Sequence, residues 1–550
     1  MLGLTELDDI ICERLGNRDL ARCAQVSKKW HSVVIPHLWH DVSWISYNHK
    51  GMGAFYEMVL EDYLAERRYQ VLQKKEDDMG SPSQVQSSPP PSTLSKYGHW
   101  IRKLPSRTLE DVFRLSALPG INKDPTLHEL ILHLFKRCSP QMQVEIFSVD
   151  LDEDLDSDNP KRMLLDFTLP RLRHLIIQGN FKSPSSGVLN LMNLLGRLDH
   201  HAVTLEALSL EVDFSKAGMI CIQEDQAGEK PEGWTFLRYL SLRKFTGSTD
   251  TDAFLSWLLK RCSSVKGLNI SDHTGSAQSL AEGMLAHLPN LDEINFGDDY
   301  SGTHYMTDDA MAQLLSGSRN GWKNARFGSK AIFENEAMDA LKRHFSTLEM
   351  LSLDECDSVT SDQLVQVLSS CSRLHTLSIV YWYQDINLHD SIDAKVFADV
   401  DPDTGSLRPW QCERSLKVLQ VRIIGIPRPD LKEDTFLEAY PDQTQELHGQ
   451  VYDRLARLTN LETLQLGDQC SYQQYDCLEL SLKSGLDKLS VLIKLKELDV
   501  TRVRTRIGAQ EVQWMSEHWP GLRAIYGLRD KENAEALRWL QENCANITLR

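Results

Sequence analysis

One six-residue phrase recurs along the chain, apolar at its first, fourth and sixth positions and mostly polar between. It reads "LRHLII" at Leu172, "LEALSL" at Leu205, "LRYLSL" at Leu237, "VKGLNI" at Val265, "LDEINF" at Leu291 and "LEMLSL" at Leu348. Further copies are "LHTLSI" at Leu374, "LKVLQV" at Leu416, "LETLQL" at Leu461 and "LKELDV" at Leu495, with weaker ones at Trp322 ("WKNARF") and Leu522 ("LRAIYG") and early candidates in "HWIRKL" and "MQVEIF". The fourth and sixth positions have the period of two that puts side chains on one face of a strand. Between the phrases run helical patterns such as "SDQLVQVLSSCSRL", where Leu364, Val367, Leu368 and Cys371 recur at spacings of three and four and Thr360 or Ser361 can cap. The expected class is therefore α/β, each strand followed by a helix.

A single strand and helix of this length cannot bury its own apolar face, whereas stacked copies share a continuous core. The array resembles the leucine-rich repeat, and that resemblance implies a horseshoe-shaped solenoid over 99–550. In "LEMLSLDECDSVTSDQLVQVLSSCSRLHTL", Leu348, Leu351, Leu353, Cys356, Leu364, Leu368 and Leu374 match the cysteine-containing subtype, in which Cys356 is a small buried residue at a turn. Two stretches lengthen the array, near 383–415 and 425–455, and long loops in repeat arrays are often functional. Outward strand positions offer a surface for a target protein: Met350, Asp354, Gln420 and Arg422 as a polar rim and Trp382 as an aromatic anchor, with packing of Trp382 under its own insertion as the competing possibility.

The amino terminus has a different rhythm. Leu7, Ile10, Ile11 and Leu15 mark one side of a first helix over Glu6 to Leu15, Thr5 capping and Gly16 stopping it. A second helix, capped by Asn17, carries Leu20, Cys23 and Ala24; Ser27 caps a third through Trp30 and Val34, which Pro36 is expected to end. A unit of about 40 residues buries too little to stand alone, and Leu4, Leu7 and Leu20 are hard to place on the same side as Trp30 and Val34. A leftover apolar patch of this kind marks a protein contact. Next come a helix over Phe55 to Lys75 and a Ser/Pro/Gln-rich stretch, Glu76 to Ser95, expected to be a disordered tether within a connecting region of 46–98.

These amino-terminal residues resemble the F-box. Leu4, Glu6, Leu7, Ile10, Ile11, Leu15, Asp19, Leu20, Cys23, Val26, Lys28, Trp30 and Trp39 fit its pattern, with Thr5 where the family usually has proline and Ser27 where cysteine is frequent. The resemblance implies a small all-α domain over 1–45 that binds the SCF adaptor through Leu4, Leu7, Ile10, Ile11, Leu20, Val26 and Trp30, and through the adaptor a cullin. An F-box ahead of leucine-rich repeats is similar to the substrate receptors of SCF ubiquitin ligases, as in fungi. Those receptors are non-catalytic and hold the protein to be degraded on their repeats. The alternative is a repeat scaffold outside any ligase, its first helices serving only as an end cap.

Composition narrows the field. Lys plus Arg number 60 against 78 Asp plus Glu, a formal net charge of −18, which disfavours nucleic acid and anionic membrane as main partners. Eleven cysteines without a CxxC pair point to reduced thiols in an intracellular protein, cytoplasmic or nuclear. No run is long and apolar enough to span a bilayer. There is no HExxH, P-loop, GxSxG or zinc-spaced cysteine set, so neither catalysis, a metal nor a cofactor is expected. His37, His40, Asp199, His200, His201 and Cys412 are better read as surface or core residues than as ligands or nucleophiles.

Overall fold

The computed structural model describes residues 11–12, 15, 17–40, 49–79, 133, 146–150, 173–180, 191, 195, 204–213, 233–243, 249–271, 277–296, 306–328, 331–354, 356, 358–379, 391–426, 441–467, 478–501, 503, 507–529, 533–544 and 546–549. They belong to two compact units, Met1–Ser264 and Val265–Arg550. The Ser/Pro-rich stretch beyond Met79, the acidic run after Asp150 and Trp382 lie outside the described residues, as do Leu4, Leu7 and Ile10.

In the first unit Ile11 and Cys12 are helical, and after them come α1 (Asn17–Val26), α2 (Lys28–His40) and the long α3 (His49–Met79). Ser27 caps α2 by accepting from Trp30 N at 3.1 Å. Cys12, Leu20 and Val34 form the core of this helical pair, with Leu15, Cys23, Ala24, Trp30, Val33 and Leu38 packed partly against it. Two expectations are corrected here. Leu20 does share a side with Val34, because α1 turns its apolar stripe onto α2. Pro36 does not end its helix but sits inside it; the last turn carries Leu38 onto the core, which offsets the backbone hydrogen bond a helical proline forfeits. The connecting helix is likewise longer than its pattern, running through Glu76 to Met79. Within it Asp62, 2% exposed, contacts buried His133 Nε2 at 2.6 Å.

The same unit then forms a parallel ladder, β1 (Ile146–Asp150), β2 (His174–Asn180), β3 (Ala207–Asp213) and β4 (Tyr239–Arg243), and ends with α4 (Thr249–Arg261). The register aligns Leu175 with Leu208 and Leu240, and Ile177 with Leu210 and Leu242. All six are at most 1% exposed.

In the second unit the phrase repeats as rungs of strand and helix. The strands are β5 (Gly267–Ser271), β6 (Glu293–Phe296), β7 (Asn324–Phe327), β8 (Met350–Leu353), β9 (Thr376–Ser378), β11 (Val418–Gln420), β13 (Thr463–Gln465), β14 (Glu497–Asp499), β15 (Ala524–Tyr526) and β16 (Thr548–Leu549), paired in parallel in that order. The helices between them are α5 (Ala277–His287), α6 (Asp308–Ser316), α7 (Asn335–Lys342), α8 (Ser361–Ser370), α9 (Ala394–Ala398), α10 (Pro441–Ala456), α11 (Ala509–His518) and α12 (Ala534–Asn543). Parallel strands need such crossovers.

The phrase's apolar positions make the core. Leu348, Leu351 and Leu353 are fully buried, and in the weaker copy Trp322, Ala325 and Phe327 fill the same places. There tryptophan and phenylalanine offset the small alanine, a volume-conserving exchange, and Trp322 Nε1 donates to Leu315 O at 2.9 Å. Cys356 is buried at the turn after β8. Thr360 and Gln363 close a reciprocal capping box on α8. Helix α7 lacks a cap from its own Glu334. Asp308, from the start of α6, supplies it, accepting from Glu334 N, Glu336 N and Ala337 N at 2.8, 3.0 and 3.0 Å.

The two lengthened stretches are not plain loops over their described parts. In the first, Ser391 to Ile426 includes α9 and a separate parallel pair, β10 (Ile392–Asp393) with β12 (Ile423–Ile424). In the second, α10 is the helix of its own rung, with Leu447, Val451, Tyr452 and Leu455 buried. Arg454 on α10 ties the two together. It is fully buried, donates from Nε and Nη2 to Ala398 O at 3.2 and 2.9 Å, meets Glu413 at 3.2 Å and stacks 4.2 Å from the Trp410 ring centre. Burial pushes its guanidinium down to about 10, with Asp399 and Glu413 opposing the shift, so it stays charged at neutral pH.

Candidate functional site

Two parts of the structure carry the residues that the sequence singles out as contacts. On the helical pair, Val26 at the end of α1 is 73% exposed and Ile11 39% exposed. An aliphatic side chain held that far into water is a contact candidate. Trp30 is partly buried against the core, and Leu20, 3% exposed, is wholly inside it. Leu20 is therefore corrected from a contact residue to a core residue: its side of α1 is the one α2 covers.

On the second unit, the strand register lines up one parity of the sheet: Asn269, Asn295, Arg326, Ser352, Ser378, Gln420, Gln465 and Asp499 occupy successive partners in the ladder, with Ser352, Ser378 and Gln465 buried and the others half-buried. Every member of this row can hydrogen-bond. Gln420 Nε2 donates to Gln465 Oε1 at 2.9 Å, and Gln465 Nε2 to Gly467 O at 3.1 Å. Met350 and Gln420 are half-buried on the same face, and Arg422, past the end of β11, is half-buried too. Asp354 is corrected. It is 5% exposed and accepts from Ser352 Oγ at 2.5 Å and Ser378 Oγ at 2.6 Å. Charge-assisted bonds of that length make it an anchor between rungs rather than a rim residue.

The sequence reading passed over one signal. The second position of the phrase is charged or titratable in every copy from Leu172 onward: Arg173, Glu206 and Arg238 in the first unit, then Lys266, Asp292, Lys323, Glu349, His375, Lys417, Glu462, Lys496 and Arg523 in the second. Each such N–H in the second unit after Lys266 donates to the carbonyl of the one before; Lys323 N to Asp292 O at 2.7 Å and Arg523 N to Lys496 O at 2.7 Å are examples. Signs mostly alternate, so neighbours pair: Lys323 with Asp292 at 2.8 Å, His375 with Glu349 at 3.9 Å, and Lys496 with Glu462. Hydrogen bonding to Lys496, with Lys417 and Lys494 adding charge, holds the Glu462 carboxyl below the usual range. Tabulating the column of second positions would have exposed the pattern.

Among the described residues no group of three His, Cys, Asp or Glu side chains could hold a metal, and no helix is long and apolar enough to cross a membrane. Cys412 is buried, which pushes its thiol up to about 12, far from the thiolate range a nucleophile needs.

Comparison with known proteins adds one assignment. Residues 10–43 match the F-box-like family model, so an F-box-like domain stands at the amino terminus. No curated protein sequence matches the chain. Among solved structures, the crystal structure of the Rad7 and Elc1 complex in yeast aligns with 66% of this chain and 87% of that one, at 16% identity and a TM-score of 0.32. A likeness that distant carries no argument about architecture or partners.

Proposed function

We propose that the chain is the substrate-recognition subunit of an SCF-type ubiquitin ligase: its F-box-like domain binds the adaptor, the adaptor brings the cullin, and the strand–helix rungs, read as leucine-rich repeats, hold a target protein. The chain itself catalyses nothing in this scheme. The F-box-like match over residues 10–43 carries the reading; the exposed Val26 and Ile11 beside a closed core are consistent with a pair of helices that completes itself on a partner.

The test is copurification of a recombinant SCF adaptor with the full chain. Val26→Asp should lose the adaptor while the chain stays folded, since burying an unpaired carboxylate in an interface costs several kcal/mol. Leu20→Asp should lose it by unfolding the helical pair. Failure of the wild-type chain to capture adaptor, or undiminished capture by a folded Ile11→Asp/Val26→Asp double variant, rejects the assignment.

A further inference from the structure

The end of the 3₁₀ segment Leu486–Val491 and the turn that leads into β14 break the surface rule followed by other rungs. Two places before the phrase those rungs carry exposed Asn320, Ser346, Ser372, Arg414, Thr459 and Pro520, whereas the residue four places before varies from buried, as at Ser318, His344 and Cys412, to exposed, as at Ser370. Here the residues four and two places before are Val491 and Ile493, 46% and 59% exposed, while Leu492 and Leu495 beside them are buried. Two bare aliphatics where neighbouring rungs place mostly polar side chains are not required by the fold.

Cations surround them. Lys494 follows Ile493 directly and its Nζ donates to Asn460 Oδ1 at 2.6 Å. Lys496 and Arg523 are consecutive second positions of the same sign, as Arg238 and Lys266 are earlier in the sequence. Lys417, on the other side of Glu462, is exposed like Arg523, and neither makes an ion pair among the described residues. The carboxylates on the adjoining segments are Glu462, engaged by Lys496, Asp453, engaged by Lys488, and the exposed Asp487 and Glu497, so the rim cations without an ion pair among the described residues are Lys417, Lys494 and Arg523. A chain of net charge −18 thus carries a locally cationic rim around an apolar centre, the arrangement of a contact surface for an anionic amphipathic partner.

We propose that this face binds an acidic peptide segment of a partner protein, its aliphatic side chains against Val491 and Ile493 and its carboxylates on Lys417, Lys494 and Arg523. Adjacent strands lie about 4.8 Å apart, so Lys417 and Arg523, three strands apart in the ladder, are separated by roughly 14 Å along the strand starts, within reach of one extended segment of about four to five residues. The site lies at the strand starts, apart from the polar row on the sheet face, and needs no adaptor.

The experiment is fluorescence polarisation with the full-length chain and three labelled probes of equal length: a peptide alternating Asp or Glu with Leu, its counterpart with Lys in place of the acids, and a single-stranded RNA. The acidic peptide alone should bind saturably, more weakly as salt rises. Ile493→Ser at unchanged Tm, and Lys494→Glu/Arg523→Glu with no fall in Tm, should each weaken it by about tenfold. Absence of saturable binding, equal binding of RNA, or unchanged affinity in both folded variants would overturn the proposal. Because no adaptor is present, a negative result here leaves the ligase reading standing, and the converse holds.

Discussion

Replacing Arg454 by alanine should be among the most damaging single changes in the second unit. Its side chain has no contact with solvent and joins three parts of the chain that are far apart in sequence: α10, the α9 end at Ala398 and Asp399, and the segment holding Trp410 and Glu413. Removing one partner of a buried ion pair costs about 3–5 kcal/mol, because the other charge is left stranded. The lower end applies here: Glu413 keeps Arg457 Nε at 3.2 Å and its side chain is 17% exposed. The stacking on Trp410 adds about 1–2 kcal/mol at a desolvated site, and Ala398 O loses its donors in a place water reaches poorly. A total of about 4 kcal/mol is expected, not strictly additive. Arg454→Met keeps the stem's packing and should cost about half as much. The assay is urea unfolding followed by tryptophan fluorescence, with Trp410 near the altered site, reading the transition of the second unit. A loss below about 1 kcal/mol for the alanine variant would show that this network is no more than a solvent-screened surface pair.

Two further outcomes follow from single residues. His344 is buried with Nε2 2.7 Å from Leu315 O, so that nitrogen donates, and burial lowers its pKa from 6.5, with Arg343 adding to the shift and the Leu315 bond opposing it. The folded state then binds the proton less readily than the unfolded chain; its contribution is fully present above the ordinary histidine range and falls as pH drops from about 6.5 towards the lower folded value. His344→Gln should flatten that part of the stability–pH curve, and an unchanged acid slope would reject the assignment. Asp308→Ala removes the acceptor of three N–H groups at the start of α7 and should cost about 1–3 kcal/mol in urea unfolding; Asp308→Asn, which retains one acceptor oxygen, should cost less, and equal losses would count against the cap.

How far the sequence anticipated this fold depended on whether a signal was local. The phrase's apolar positions became buried strand residues because period-two patterning depends only on neighbours along the chain, and the Thr360 box needed only four consecutive residues. The extents failed where distant contacts decide: Pro36 inside α2 is carried by Leu38 reaching the core, and α10 was hidden in a stretch taken as a loop although Leu447, Val451, Tyr452 and Leu455 already had helical spacing. Parity placed Asp354 on the outward face, but its burial comes from Ser378 on the next strand, which no local pattern reveals. Leu20 reads from the sequence as unable to share a side with Val34, and so as a contact residue, whereas the apolar stripe of its helix packs on α2 and puts both in one core.

The charged second positions raise a different question, why a residue bound for the surface should be regulated along a whole array. Part-exposed pairs such as Lys496 with Glu462 are screened by solvent and contribute too little to explain the pattern as stability. Their value lies in discrimination. Parallel rungs of similar shape can pair out of order, and every clear copy offers nearly the same apolar face, so the core alone distinguishes neighbours poorly. Alternating charge penalises a rung that skips one place, because it then meets its own sign, and rewards only sequential neighbours. That logic predicts like signs side by side where something other than pairing sets the residue. Lys496 and Arg523 are such a place, next to Val491 and Ile493. Arg523→Glu should therefore strengthen the local pairing and raise Tm slightly while weakening an acidic ligand, a gain in stability at the expense of binding that a purely structural arginine would not show.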